Sequence, residues 1–442
     1  MKQLPIAIIG AGPIGLAAAA HLLERGEMPV VLEAGQTVGA SVLEWGHVRM
    51  FSPWEFNVDA ACRRLLEHEG WLMPPPDELP TGAELVRRYL QPLADLPLMR
   101  SVIRRGARVT AISRKQRDKL KDAGRWTAPF LLRLQLDTGR EEQLEAHAVI
   151  DASGSWQQPN PLGADGIPAL GETRLNGRIA YGIPDVLDEA RKRFAGKRVA
   201  VVGSGHSAIN TLLDLLRLRD DSPATEVVWA LRGDNMQKLY GGGTDDQLPA
   251  RGQLGMRIKA AVEAGALEIA APFPITRVEE AGEQLQLFSD NERLRVDEVI
   301  VCTGARPDFS LLRELRLDID PAVESARALA SMIDPNLHSC GSVPPHGEAE
   351  LRQPERDFYI IGMKSYGRAP TFLLATGYEQ ARSVAAALCG DWAAARDVQL
   401  HLPETGVCIT DYASDCCAEA ALLPLDAIPI ALDEIAVAAP CC

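Results

Sequence analysis

Three glycines and a carboxylate near the start of the chain carry the clearest chemistry. Gly10, Gly12 and Gly15 form GAGPIG directly after the apolar run IAIIG and ahead of LAAAAHLLERG. A strand turning into a helix at G-x-G-x-x-G aims backbone amides and the positive end of the helix at a pyrophosphate. The first glycine permits the turn, the second lets phosphate approach, and the third lets helix and strand pack closely. Pro13 and Ile14 fill the positions between, within the turn. Glu33 ends the next strand-like run, PVVLEAG, where a carboxylate accepts hydrogen bonds from a ribose diol.

The same grammar recurs in GKRVAVVGSGHSAINTLLDLL. Gly203 and Gly205 hold the first two positions, His206 and Ser207 follow, and Ala208 replaces the third glycine. The second strand of this copy, EVVWALRG, ends at Arg232 instead of an acid. A guanidinium there suits a ribose phosphate and favours NADPH over NADH; a solvated surface arginine is the bland alternative, and Asp234 stands close by. Two further strand ends run into small residues. VIDASGSW carries Ser153 and Gly154, and VIVCTGARPD carries Thr303, Gly304 and Arg306. Small residues let the backbone lie against a cofactor or a domain crossover, whereas either segment alone would also fit a tight loop without a ligand.

These loops need a scaffold that places strands in parallel with helices between them. The chain reads as an α/β fold with two Rossmann-like dinucleotide-binding domains, one inserted in the other, plus a Cys-rich C-terminal tail. The expected division is residues 1–164 and 306–395 for the split first domain, 165–305 for the inserted one and 396–442 for the tail. Other expected elements are a helix over TGAELVRRYLQPLA capped by Thr81, strands over FLLRLQL and AHAVIDASG, a strand at DFYIIGMKSYG and a helix over ATGYEQARSVAAALCG.

The bulk numbers agree. At 442 residues and 46% hydrophobic content there is material for two or three cores. A net charge of −14 repels phosphate backbones and anionic lipid, so neither nucleic acid nor membrane is an expected partner. The apolar run from Leu4 to Leu23 is interrupted by the glycine pattern and reads as a nucleotide loop instead of an export signal, so the expected location is the cytoplasm. The oligomeric state stays open. Nine cysteines, an odd count, argue against a disulfide framework. Cys408, Cys416, Cys417, Cys441 and Cys442 crowd the end of the chain. Adjacent cysteines make strained disulfide rings, but as thiolates they are good ligands for soft, thiophilic ions; a handful of incidental exposed cysteines is the bland alternative.

The order GAGPIG, Glu33, DASG, GSGHSA, CTGARPD and GMKSYG resembles the two-dinucleotide-binding flavoproteins over about residues 1–395, and within them the NADPH-dependent flavin-containing monooxygenases. The resemblance implies FAD on the first loop and NADPH on the second, with a small-molecule substrate and molecular oxygen as partners. Disulfide reductases of this architecture carry a close cysteine pair beside the flavin or in the nicotinamide domain, and neither region here has one. The monooxygenases' F-x-G-x-x-x-H signature corresponds to ALGETRLNGRIAYG, which keeps Gly171 and lacks the histidine.

By the same resemblance WGHVRMFSPWEFN lines the flavin, which makes Arg49, Ser52 and Trp54 candidates for catalytic contact; a core aromatic cluster with a satisfied arginine is the alternative. Gly362, Thr376 and Gly377 would face the isoalloxazine, with Lys364, Tyr366 and Arg368 adding donors. The tail resembles thiol-rich tails of metal- and metalloid-detoxifying proteins, and the rest resembles monooxygenases associated with bacterial organoarsenical resistance. Oxidation of a soft nucleophile such as methylarsenite is therefore the leading expectation. The alternatives are a reductase passing electrons from NADPH through FAD to the tail thiols or a metal ion, and an electron donor to a protein partner.

Overall fold

The structure is a computed structural model that describes residues 4–400 apart from 236–238, 241–247, 291, 338–342 and 371. Strands β1 (Ile6–Ile9) and β7 (Ala148–Asp151) are buried along their whole length, as expected of strands covered on both faces. With β2 (Val30–Leu32), β3 (Ile103–Arg104) and β16 (Phe358–Ile360) they form a parallel sheet ordered β16-β7-β1-β2-β3. A second parallel sheet is ordered β11-β10-β9-β15-β8. Its strands are β8 (Ile179–Tyr181), β9 (Arg198–Val202), β10 (Glu226–Ala230), β11 (Glu268–Ala270) and β15 (Glu298–Val301). The second sheet thus comes wholly from chain lying between the strands of the first. Each half also carries an antiparallel three-stranded meander: β4 (Ala107–Arg114), β5 (Phe130–Leu136) and β6 (Glu141–Ala146) in one, and β12 (Arg277–Ala281), β13 (Gln284–Phe288) and β14 (Arg293–Val296) in the other. The mixed α/β architecture with parallel sheets is the one expected from the sequence.

The helix Pro13–Glu24 is buried on nearly every side because it lies against both β1 and the helix Leu374–Leu388. Its run of four alanines, Ala17–Ala20, fully buried, lets those neighbours come close. The expected single helix after Thr81 begins as predicted, with a reciprocal capping box between Thr81 and Glu84. It then widens into a π-turn over Val86–Leu90 before resuming at Gln91–Asp95. Pro92 is the physical reason. It cannot donate to the carbonyl of Arg88, which instead accepts the Trp71 indole N–H at 2.9 Å. Among the described residues, no helix is long and apolar enough to cross a membrane.

Candidate functional site

Both glycine loops are built the same way. Gly10 and Gly203 have φ of +98° and +130°, a region open to glycine and strained for other residues. A Cβ on Gly10 would lie 2.8 Å from the Ala152 carbonyl oxygen, and one on Gly203 would lie 2.4 Å from that of Cys302. Ala152 and Cys302 each follow the strand next to the loop strand, and each donates back to it, to Ile9 at 3.0 Å and to Val202 at 2.8 Å. At the second glycines the situation reverses. A Cβ on Gly12 or Gly205 meets nothing within 4 Å. Gly12 and Gly205 are also the N-caps of the helices Pro13–Glu24 and His206–Asp221, and neither helix has a side-chain cap. Each loop therefore offers uncapped helix amides beside open space, the chemistry that receives a phosphate. Gly15 has another task, since its Cβ would lie 2.0 Å from the Gly10 carbonyl oxygen.

Glu33 is buried at the edge of the first loop and accepts from the amides of Ala11 and Gly35, both at 2.7 Å. It thereby ties the end of β2 to the glycine turn while its remaining lone pairs are available to a ribose. Asp151, at the end of β7, accepts from the amide of Ser153 at 3.1 Å and its hydroxyl at 2.6 Å. Lys364 Nζ completes the group at 2.7 Å from Asp151 and 3.2 Å from Ser153 Oγ. Gly154 has φ of +71° and open space around its Cβ direction.

Gly362 and Gly377 are small for packing, because both press on Ile14; a Cβ would come within 3.2 Å and 2.5 Å of it. Gly362 N–H donates to Gln380 Oε1 at 2.8 Å, and the Gln380 amide bonds the ring of His346 at 2.8 Å. Thr376 is buried in the first turn of Leu374–Leu388, while Lys364 and Tyr366 are buried and Arg368 is exposed. The start of that helix and the start of Pro13–Glu24 are thus brought together through Ile14.

The second group of candidates divides. Thr303 and Gly304 belong to a pair of crossing strands between the halves. Thr303 Oγ1 donates to the Asn160 carbonyl at 3.0 Å, and the Asn160 amide donates to Gly304 at 2.9 Å. The Arg306 guanidinium pairs with Glu324, which raises its pKa. Arg232 is exposed near the second loop and donates to the Ala164 carbonyl at 3.3 Å.

The three catalytic candidates differ in exposure. Trp54 is 1% exposed in the first half's core, with Arg88 lying 5.5 Å from its ring centre. Ser52 is buried and closes a turn with Asn57, its hydroxyl donating at 2.8 Å. Arg49 is exposed, but its guanidinium donates to the Leu79 carbonyl. Of the three, Arg49 alone is exposed, while Ser52 and Trp54 are enclosed by protein. Cys408, Cys416, Cys417, Cys441 and Cys442 lie outside the described residues. The thiols that are described are isolated: Cys62 and Cys302 are buried and Cys389 partly so. Burial pushes the Cys302 thiol up to about 12 and Cys62 well above its ordinary value.

The Asp151–Lys364 pair went unread in the sequence. Both residues stand in segments that drew attention, but they are 213 positions apart and nothing local joins them.

Two parallel sheets, each with a phosphate-ready glycine loop, define a two-dinucleotide flavoprotein fold. Residues 7–331 match the pyridine nucleotide-disulphide oxidoreductase family, and the chain belongs to it. Members of this family and its fold neighbours use FAD and NADPH, and the open sides of Gly12 and Gly205 fit such groups. Indole-3-pyruvate monooxygenase YUCCA1 of Oryza sativa subsp. japonica is 28% identical over 216 residues, 48% of this chain and 44% of that protein. The chain spans about half the length of the curated relatives it matches, 44% and 59% for two of them. Bacillithiol disulfide reductase Bdr (YpdA) from Bacillus cereus superposes with TM-score 0.63 at 19% identity, over 88% of this chain and 99% of that one. DfoA, the cadaverine monooxygenase of Erwinia amylovora, superposes with TM-score 0.60 at 13% identity, over 91% and 97%. These two likenesses speak to the fold.

Proposed function

We propose that the protein is an NADPH-dependent FAD monooxygenase acting on a soft nucleophile, with trivalent organoarsenicals such as methylarsenite as its substrate class and arsenic resistance as its role. The observation that carries the choice of oxygenase is the state of the described thiols. Cys302, at the end of β15 beside the second loop, is buried, has its thiol pushed up to about 12 by that burial, and donates to the Gly182 carbonyl at 3.2 Å. A thiol so held cannot relay electrons, since the thiolate is the reactive form. The 28% identity to a plant monooxygenase supports the same reading.

FAD, when bound, supplies the oxygen activation; the protein supplies orientation and exclusion of water. In this reading Gly10, Gly12, Pro13, Ile14, Gly15, Glu33, Ser153 and Gly154 hold FAD, with Gly362, Thr376 and Gly377 setting the helix start beside it. Gly203, Gly205, His206, Ser207 and Arg232 hold NADPH. The tail cysteines Cys408, Cys416, Cys417, Cys441 and Cys442 capture the thiophilic substrate, because soft thiolate ligands bind soft ions. The second reading is a reductase that sends electrons through FAD to tail thiols or a metal ion.

Replacing the four paired tail cysteines with serine separates these readings. Capture predicts a raised Michaelis constant for methylarsenite with turnover kept, whereas a thiol relay predicts loss of turnover at every substrate concentration. Unchanged kinetics would remove the tail from the account.

A further inference from the structure

Phe51 belongs by sequence to the flavin half, on the chain between β2 and β3, yet its ring packs against the core of the other half. There it meets His206 edge-on, with ring centroids 5.0 Å apart and planes at 62°. His206 is the first residue of the helix whose amides the second glycine loop presents. Further along the same helix Asp214 is raised by burial, against which Arg217, His47 and Arg257 act; His47 comes from the same flavin-half segment as Phe51. That segment is also tied to the crossing strands. Trp45 lies 6.4 Å from Trp156, and the Trp156 indole donates to Glu44 at 2.8 Å.

Resting on the cofactor reading above, we infer that Phe51 is a positioning residue for hydride transfer. Its contact with His206 fixes the nicotinamide-binding helix against the flavin half, so that a dinucleotide held on one half reaches the flavin held on the other. The step it serves breaks the nicotinamide C–H bond and forms an N–H bond on the flavin, leaving NADP⁺ and two-electron-reduced FAD.

The test compares wild type with Phe51→Ala, Phe51→Leu and Phe51→Tyr. All should retain FAD and be reduced by dithionite. Under anaerobic conditions the limiting rate of reduction by NADPH should fall about tenfold in the alanine and leucine variants, as misalignment of reacting centres predicts, and return with tyrosine. Independently of turnover, NADP⁺ should slow hydrogen exchange in residues 45–52 of the wild type and not of Phe51→Ala. If Phe51→Ala disturbs folding, Phe51→Leu, which keeps most of the apolar volume, carries the test. A limiting rate within about twofold of wild type in both variants overturns the inference alone. So does exchange in 45–52 that is indifferent to NADP⁺. A wild type that neither binds NADP⁺ nor accepts electrons from NADPH or NADH overturns the cofactor reading, and the inference with it.

Discussion

Lys364 Nζ lies 2.7 Å from Asp151 Oδ2, and both side chains are wholly shielded from solvent. The pair joins the end of β7 to the segment after β16 and holds Ser153 between them. A buried pair broken on one side leaves an uncompensated charge, which costs about 3–5 kcal/mol. Lys364→Met should therefore lower the thermal midpoint sharply and release FAD, measured by calorimetry and flavin absorbance. The double variant Asp151→Leu/Lys364→Met should be more stable than Lys364→Met, because no lone charge remains. A double variant less stable than the single one would contradict this view of the pair.

The first loop separates two glycine roles. Gly12→Val has room in the fold but fills the space where phosphate would lie, so the chain should fold and elute without yellow colour. Gly15→Ala sets a Cβ against the Gly10 carbonyl oxygen and should reduce the yield of folded protein itself. Circular dichroism and bound-flavin content distinguish the two. Full FAD occupancy in Gly12→Val would remove the loop from the cofactor site.

Coenzyme choice should depend on Arg232. It is exposed, and its bond to the Ala164 carbonyl, at 3.3 Å, is weak enough to exchange for a phosphate. NADPH should reduce the flavin in preference to NADH. Arg232→Ala should narrow the gap by about one to two decades, the worth of a charge-assisted contact of ~1.5–3 kcal/mol. Equal preference in the wild type would contradict the assignment.

Acid should loosen the site through His346. Burial lowers its pKa below 6.5, and the ring bonds the Pro344 carbonyl through Nδ1 and the Gln380 amide through Nε2, which fits the neutral form. The unfolded chain then binds a proton below about pH 6.5 that the native state refuses. The stability this contributes is complete above 6.5 and lost as pH falls toward the native value. The thermal midpoint should drop as pH falls below about 6.5, and His346→Asn should flatten that slope. An identical slope in the variant would exclude His346 as the cause.

Much of the frame was legible because its signals are local. A glycine spacing, a strand before it and a helix after it lie within a dozen or so positions, so GAGPIG and GSGHSA could be read with their roles. The surroundings of Trp54, Ser52 and Arg306 were not legible, because they are set by distant partners or by packing. Glu324 is 18 positions from Arg306, and no spacing rule pairs them. An aromatic near a cofactor and an aromatic in a core look alike in sequence, so the 1% exposure of Trp54 could not be read from it. The π-turn was hidden for a related reason: Pro92 was visible, but the distant Trp71 that satisfies the freed carbonyl was not.

The central claim is oxygen transfer, and isotope labelling tests it most directly. Purified enzyme given NADPH, methylarsenite and ¹⁸O₂ should yield oxidised arsenical carrying one labelled oxygen atom, the other leaving as water, with one NADPH consumed per product. NADPH oxidation that proceeds equally without oxygen, or product that carries no label, would contradict the account and leave the reductase reading in its place.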